Sequence, residues 1–310
     1  MNRQCLICRK PVNNGYEFHE KCSKTFFGIF PPPVLDLTLS KIKEYAAKLV
    51  LERISVTGVQ KKLSLGFEGP QRDKRLTIVG LWGQFILKPP SEDYQSLPEN
   101  EDTSMHLAAI FNIPGVPHAM IRLASGELAY ITKRIDRTDD NKKIAMEDFC
   151  QVSERITEEK YKSSVERVGK LLRQYTVYPG LDTVDLFERV VFNYLIGNAD
   201  MHLKNYSIIE TPQGMRLSPA YDLLSTVLVI PEDTEESALA INGKKSKLKR
   251  IDFDSLAESM KITSSVYLKT YKKFTDSVQS VHRIINQGFL SEHMKQNFIN
   301  VFDKRLGLFS

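Results

Sequence analysis

The stretch "IGNADMHLKNYS", residues 196–207, decides how this chain is read. The residues before it are apolar at helical spacing, with Phe187, Val190, Val191, Tyr194 and Leu195 on one face. Asp200, His202, Lys204 and Asn205 then arrive within six positions. Asp and Asn side chains compete with the helix for its own backbone groups, and His is a weak helix former. The pattern therefore predicts that a buried helix stops here and a polar loop begins. A polar loop held by a buried helix is a platform for chemistry, because rigid support fixes where its side chains point.

Asp200 and Asn205 have four residues between them. That Asp-x4-Asn spacing is the one found in a protein-kinase catalytic loop. There the aspartate orients and deprotonates an acceptor hydroxyl, and the asparagine oxygen holds a magnesium ion. A second metal-binding aspartate is then expected a short hairpin downstream. Asp222 in "LSPAYDLLS" meets that need, after the strand-like pair "YSIIE" and "GMRLS". Upstream, Lys88 at the end of "QFILKPP" is the candidate phosphate-binding lysine on a strand, and "SVTGVQKK", residues 55–62, the candidate loop over the phosphates. Each piece alone has a plainer reading: Asp or Asn as helix cap, Asp222 as turn residue, Lys88 as strand-end surface lysine. The loop is no Walker A motif and holds a single glycine. Their order along the chain is what argues for phosphoryl transfer.

The rest of the chain is arranged around these motifs. Strand-like runs "RISV", "KLSLGF", "RLTIVG", "QFILKPP", "AMIRLA" and "LAYITKRI" fall between residues 52 and 136, with "SGE" turning between the last two. A helix through "ENEDTSMHLAAIFN" follows Pro98, and Pro114 stops it. Another spans 41–51, capped near Ser40 after the Pro-rich connector "FPPPVLDLTLS". Beyond Arg137 the pattern turns helical, with helices expected near 163–175, 265–281 and 291–308. The expected class is α+β, a bilobal protein-kinase-like fold. Its parts are an N-terminal Cys/His module over 1–35, a β-rich lobe over 36–136 and an α-helical lobe over 137–310.

With 310 residues, the chain is longer than a typical single domain. Its 42% hydrophobic and 26% charged residues suit a globular core. The net charge of +5 favours an anionic ligand without arguing for nucleic acid. The longest apolar run, "LLSTVLVI", is too short to span a bilayer, and "MNRQCLICRK" has no signal-peptide core. A cytoplasmic protein without membrane contact is expected.

Three of the four cysteines lie in "CLICRKPVNNGYEFHEKC". Cys5-x2-Cys8 and His19-x2-Cys22 are two close pairs of soft ligands, which can close one tetrahedral zinc site. The alternative is three reduced thiols beside a surface histidine; a disulfide suits a chain without an export signal poorly. With four protein ligands such a zinc would be structural, leaving no open position. Elsewhere, Trp82 reads as a packing residue of the small lobe and Cys150 as a small buried hydrophobe. "KKSKLKR", residues 244–250, reads as a solvated basic loop or a surface for RNA or an acidic protein.

Taken in order, "SVTGVQKK", "FILKPP", "ENE", "ITKRIDR", "EDFCQ", "GNADMHLKNYS", "SPAYDLLS" and "ALAINGKK" resemble the HipA-family serine/threonine kinase toxins of bacterial toxin–antitoxin systems. The resemblance runs from about residue 50 to about 260. Because the phosphate loop arrives at residue 55, the chain looks like the shortened HipT type. The resemblance implies Asp200 as catalytic base, with His202 donating to a phosphate oxygen or capping the loop. It implies Asn205 and Asp222 as magnesium ligands, and Lys88, Lys62, Ser55, Val56 and Thr57 around the ATP phosphates. Glu101 would orient Lys88; Lys133 and Ile135 would meet adenine, with Asp136 near the sugar. Ser55 and Thr57 would be autophosphorylated, although Thr57 stands where the short type usually has serine.

The implied cofactors are ATP and Mg2+, beside the Zn2+ of the Cys/His module. The implied substrate is an aminoacyl-tRNA synthetase, the tryptophanyl enzyme for the short type, with growth arrest as outcome. Implied partners are a HipS-like small protein and a HipB-like helix-turn-helix antitoxin, through which DNA is met indirectly. Two alternatives stand beside this reading. One is a nucleotide-binding pseudokinase serving as corepressor in an antitoxin–DNA complex; the other is a small-molecule or lipid kinase.

Overall fold

A computed structural model describes residues 3–51, 62–70, 74–80, 82–138 and 140–310. The chain divides into two compact units, Met1–Asp102 with Val116–Lys143, and Thr103–Gly115 with Ile144–Ser310. In the first unit, strands β1 (Arg3–Gln4) and β2 (Pro11–Val12) pair antiparallel and lead into helix α1 (Glu20–Phe27). Helix α2 (Leu39–Leu51) follows. Its first turn is capped by Thr38, whose hydroxyl accepts the Lys41 N–H at 3.3 Å; Ser40, the expected cap, is already inside the helix.

Strands β3 (Leu63–Glu68), β4 (Arg75–Ile78), β5 (Phe85–Lys88), β6 (His118–Arg122) and β7 (Leu128–Lys133) form one sheet in the order β4–β3–β5–β7–β6. Every pairing in it is antiparallel. Leu63, Leu65, Phe85, Leu87, Ala119, Ile121, Ala129 and Ile131 are buried, as β-branched, aliphatic and aromatic side chains on a pleated surface should be. Phe26 and Phe27 of α1 lie 5.7 and 5.9 Å from the Phe85 ring, so the Cys-rich start packs on this sheet. Helix α3 (Leu97–Ile110), with Pro98 in its first turn, sits between β5 and β6 in the chain. The run "RISV" lies outside the described residues. Trp82 departs from expectation. It is 68% exposed, with the Arg137 guanidinium 5.6 Å from its ring, and is no packing residue.

In the second unit, β8 (Met146–Asp148), β9 (Ser207–Thr211) and β10 (Gly214–Leu217) form a small sheet in the order β10–β9–β8. The helices are α4 (Phe149–Val152), α5 (Val165–Tyr175), α6 (Pro179–Ile196), α7 (Arg250–Ser259), α8 (Ser264–Thr275), α9 (Val278–Gln287) and α10 (Glu292–Leu306). The single helix expected over 265–281 is two, broken at Asp276–Ser277, where the Thr275 hydroxyl and the Asp276 and Ser277 N–H groups bond back to preceding carbonyls.

Helix α6 is the axis of this unit. Phe187, Val190, Val191, Tyr194 and Leu195 are all buried, and so are Leu186, Phe192 and Ile196. Phe111 closes the core, with ring centroids 4.4 Å from Phe274, 5.9 Å from Phe192 and 6.5 Å from Phe302. Truncating such a buried ring costs about 3–5 kcal/mol. Cys150 is buried, as expected, with its thiol donating to the Ile156 carbonyl at 3.2 Å. Among the described residues, no helix is long and apolar enough to cross a membrane.

Candidate active site

Helix α6 ends where its sequence says it must. Gly197 follows Ile196 with φ +75°, a left-handed conformation that glycine adopts without Cβ strain. The loop beyond it is fastened at every step. The Thr226 hydroxyl donates to the Gly197 carbonyl at 3.0 Å and accepts the Ala199 N–H at 2.9 Å. The Asn198 side chain, itself bonded to Asn193, accepts the Asp200 N–H at 3.1 Å. These bonds bury the polar backbone without waste and leave Asp200 on a fixed base.

The Asp200-to-Asn205 segment closes on itself. Asn205 Nδ2 donates to the Asp200 carbonyl at 2.9 Å, and the His202 N–H reaches the same carbonyl at 2.9 Å. The first bond commits the Asn205 nitrogen to the loop and keeps its oxygen, the atom that can ligate a hard cation, out of that bond. Leu203–Asn205 is a 3-10 turn, and Ser207 starts β9 after the single residue Tyr206. The β9–β10 hairpin then brings the chain to Asp222, which takes φ +54°. A non-glycine residue in that region is uncommon, Asp and Asn being among the few types that tolerate it. Asn205 and Asp222 are the oxygen donors that suit magnesium.

His202 is 6% exposed, and its Nδ1 has no hydrogen-bond partner among the described residues. Burial pushes its pKa below the ordinary 6.5, against the pull of Asp200, so the ring is neutral at physiological pH. A neutral ring donates from one nitrogen only.

Two residues that the sequence did not single out complete this loop. Tyr161 Oη donates to Asp200 Oδ1 at 2.7 Å, and its ring stands edge-on to His202 at 5.0 Å. Burial first, then the Asp200 carboxylate, raises the Tyr161 pKa, so it remains a donor. Asp148 accepts from Lys204 Nζ at 3.0 Å while capping α4 through the Gln151 N–H. Neither contact leaves a periodic trace, since 39 and 56 residues separate the partners.

In the first unit, Lys88 ends β5 and Glu101 lies on α3. Lys88 Nζ donates to Glu101 Oε1 at 2.6 Å and Oε2 at 2.8 Å, and the side chains are 3% and 2% exposed. A buried ammonium doubly bonded to a carboxylate is held in one place. Lys133 ends β7, its N–H donating to the Pro117 carbonyl at 2.9 Å, and Ile135 is half-buried two residues on. Asp136 is gripped by Arg134 at 2.8 and 2.6 Å; burial alone would raise its pKa, but these bonds bring it down. Lys62 precedes β3, half-buried. Ser55, Val56 and Thr57 lie outside the described residues. The ligand atoms of Cys5, Cys8, His19 and Cys22 all lie within 4.8 Å of one another.

Residues 54–285 match the model of the HipA-like C-terminal domain. The chain is 33% identical over 250 residues to the proposed kinase Y4dM of Sinorhizobium fredii, covering 74% of this chain and 59% of that protein. It is 30% identical over 212 residues to the serine/threonine-protein kinase toxin HipA of Shewanella oneidensis, covering 62% and 47%. The chain thus spans about half the length of these two relatives.

Among solved structures, it resembles HipA of Shewanella oneidensis in a complex of HipA, HipB and operator DNA. There the TM-score is 0.67 at 20% identity, covering 97% of this chain and 74% of that one. The Helicobacter pylori proinflammatory kinase CtkA gives a TM-score of 0.55 at 15% identity, covering 80% and 93%. These likenesses show a kinase-like α+β fold. With most of its length matched by that one family model, the chain belongs to the HipA-like C-terminal domain family.

Proposed function

We propose that this protein is an ATP- and magnesium-dependent serine/threonine protein kinase. The observation that carries the reading is the closed Asp200–Asn205 loop at the end of buried α6, with Asp222 one hairpin downstream. The residue types fit the cofactor in each unit taken by itself: Asn205 and Asp222 offer hard oxygens in the second, and Lys88, steadied by Glu101, offers a positive charge in the first. ATP bound with magnesium supplies a phosphoryl group for in-line transfer to a hydroxyl. In this reading Asp200 orients the acceptor hydroxyl and takes its proton. Asn205 and Asp222 hold the cation, and Lys88 binds phosphate oxygens. His202 donates one hydrogen bond to a phosphate oxygen, and Lys133 and Ile135 line the adenine side.

The finer reading follows from kinship. HipA of Shewanella oneidensis is a kinase toxin, and its structure holds HipB and operator DNA. We infer a toxin of the short HipT type that meets a HipB-like antitoxin and a HipS-like protein and phosphorylates an aminoacyl-tRNA synthetase. Self-modification at Ser55 or Thr57 would regulate it.

The test is transfer of labelled phosphate from ATP to protein in a cell extract, with and without magnesium. Transfer to serine or threonine is expected, and Asp200→Asn should slow it about 10²–10⁴-fold while nucleotide still binds. Nucleotide binding without transfer would instead make the protein a nucleotide-dependent binding module. Transfer only to lipids or small molecules would exclude the protein kinase.

A further inference from the structure

We propose that Cys5, Cys8, His19 and Cys22 hold one zinc ion in a closed, structural site that staples the first thirty residues to the sheet of the first unit. The inference is independent of the kinase reading.

The backbone already has the form such a site needs. Cys5 and Cys8 sit in the turn between β1 and β2, where the Cys5 N–H donates to the Lys10 carbonyl and the Arg9 N–H to the Cys5 carbonyl, both at 2.9 Å. Arg9 takes φ +60°, so the chain turns sharply directly after the second thiol. His19 stands at the N-cap position of α1, its side chain making no capping bond, and Cys22 lies in the first turn, three residues on, where two side chains share a face. The two halves converge: Cys8 Sγ is 3.3 Å and Cys22 Sγ 3.9 Å from His19 Nδ1. With Zn–S bonds of about 2.3 Å and Zn–N bonds of about 2.0–2.1 Å, the edges of a coordination tetrahedron come to roughly 3.5–3.8 Å. The four ligand atoms need to move little to meet one ion.

The histidine tautomer agrees. His19 Nε2 lies 2.8 Å from the Pro11 carbonyl, which can only accept, so Nε2 carries the proton. Nδ1 is then the lone-pair nitrogen, and it is the one turned to the thiols. A carbonyl holding the far nitrogen in this way is the usual support of a zinc-bound histidine. All four cysteines of the chain are free. Thiolates whose sulfurs lie within 4.8 Å of one another repel, and a divalent cation removes that cost.

The staple has a target. The Leu6 carbonyl, inside the first knuckle, accepts the Met120 N–H of β6 at 2.8 Å. Arg9, 4% exposed, reaches α3, where Nε and Nη2 lie 3.1 and 2.5 Å from Asp102 Oδ2. Asp102 is the next residue after Glu101, the partner of Lys88. A segment of this length is below the size at which a hydrophobic core usually suffices alone, which is where small modules use metal.

The full chain is expressed with zinc in the medium, purified without chelator and assayed for metal. About one zinc per chain is expected, and less than about a tenth would overturn the site. Because a Cys8→Ser, Cys22→Ser variant can lose its fold as well as its metal, the wild-type chain loaded with cobalt is the second arm. Strong visible bands with sulfur-to-cobalt charge transfer are expected; the pale spectrum of an octahedral site would overturn the proposal. Stripping the metal should speed hydrogen exchange at the Met120 amide, and an unchanged rate would remove the stapling role. None of these readouts uses phosphoryl transfer, so the site stands or falls apart from it.

Discussion

Tyr161 holds Asp200 by one of the two oxygens that an incoming hydroxyl could use. At 2.7 Å, with a charged acceptor, this is among the stronger kinds of hydrogen bond, worth about 1.5–3 kcal/mol. Tyr161 is also 38% exposed, so an acceptor protein can reach and displace it. If Asp200 is the base, Tyr161 competes with the substrate. Tyr161→Phe removes the competing hydroxyl and keeps the ring against His202. We expect kcat/KM toward a protein acceptor to rise about tenfold, one unit of roughly 1.4 kcal/mol. Steady-state kinetics at varied acceptor decide it; a fall of the same size would make Tyr161 a residue that positions Asp200.

At the scale of elements, the Lys88–Glu101 ion pair joins β5 to α3. Lys88 and Glu101 are buried by 97% or more of their side chains, so removing one partner leaves a charge in a dry place. Lys88→Met should therefore lower stability by about 3–5 kcal/mol, measured by urea unfolding, whereas Lys88→Met with Glu101→Leu should regain most of the loss. Additive losses in that cycle would show that the two residues do not act as a pair.

The elements also show what sequence can and cannot carry. The α6 end was legible because the apolar period and Gly197 are local signals. Likewise β5, α3 and the β9–β10 hairpin declared themselves through alternation, Pro98 and turn residues. The break between α8 and α9 was not legible, since neither Gly nor Pro marks it and its bonds are local side-chain contacts. Strand β8 was hidden for another reason: "MED" is too short and polar to alternate, and its pairing with β9 spans some sixty residues. Trp82 misled because hydrophobic residues are not obliged to be inside. Tyr161, Asp148 and the Arg9–Asp102 pair join residues far apart in sequence, and a single chain records no such pairing.

For the whole molecule, stability itself reports the proposed ligand. A ligand that binds only the folded chain adds about 2.7 kcal/mol when present at 100 times its dissociation constant. ATP with magnesium should therefore raise the unfolding midpoint, and ATP with a chelator should raise it less. Asp222→Asn is the informative variant. Asn is among the residue types that tolerate the φ of +54° found there, so the change adds no φ strain of its own. The substitution keeps one oxygen but removes the full charge that a hard cation prefers. The variant should unfold at about the wild-type midpoint without ligand, respond to ATP, and lose the further gain from magnesium. A lower midpoint without ligand would mean that the Asp222 charge serves the fold. A magnesium-dependent gain equal to that of wild type would place the cation on other residues, and with it the role given to Asp222.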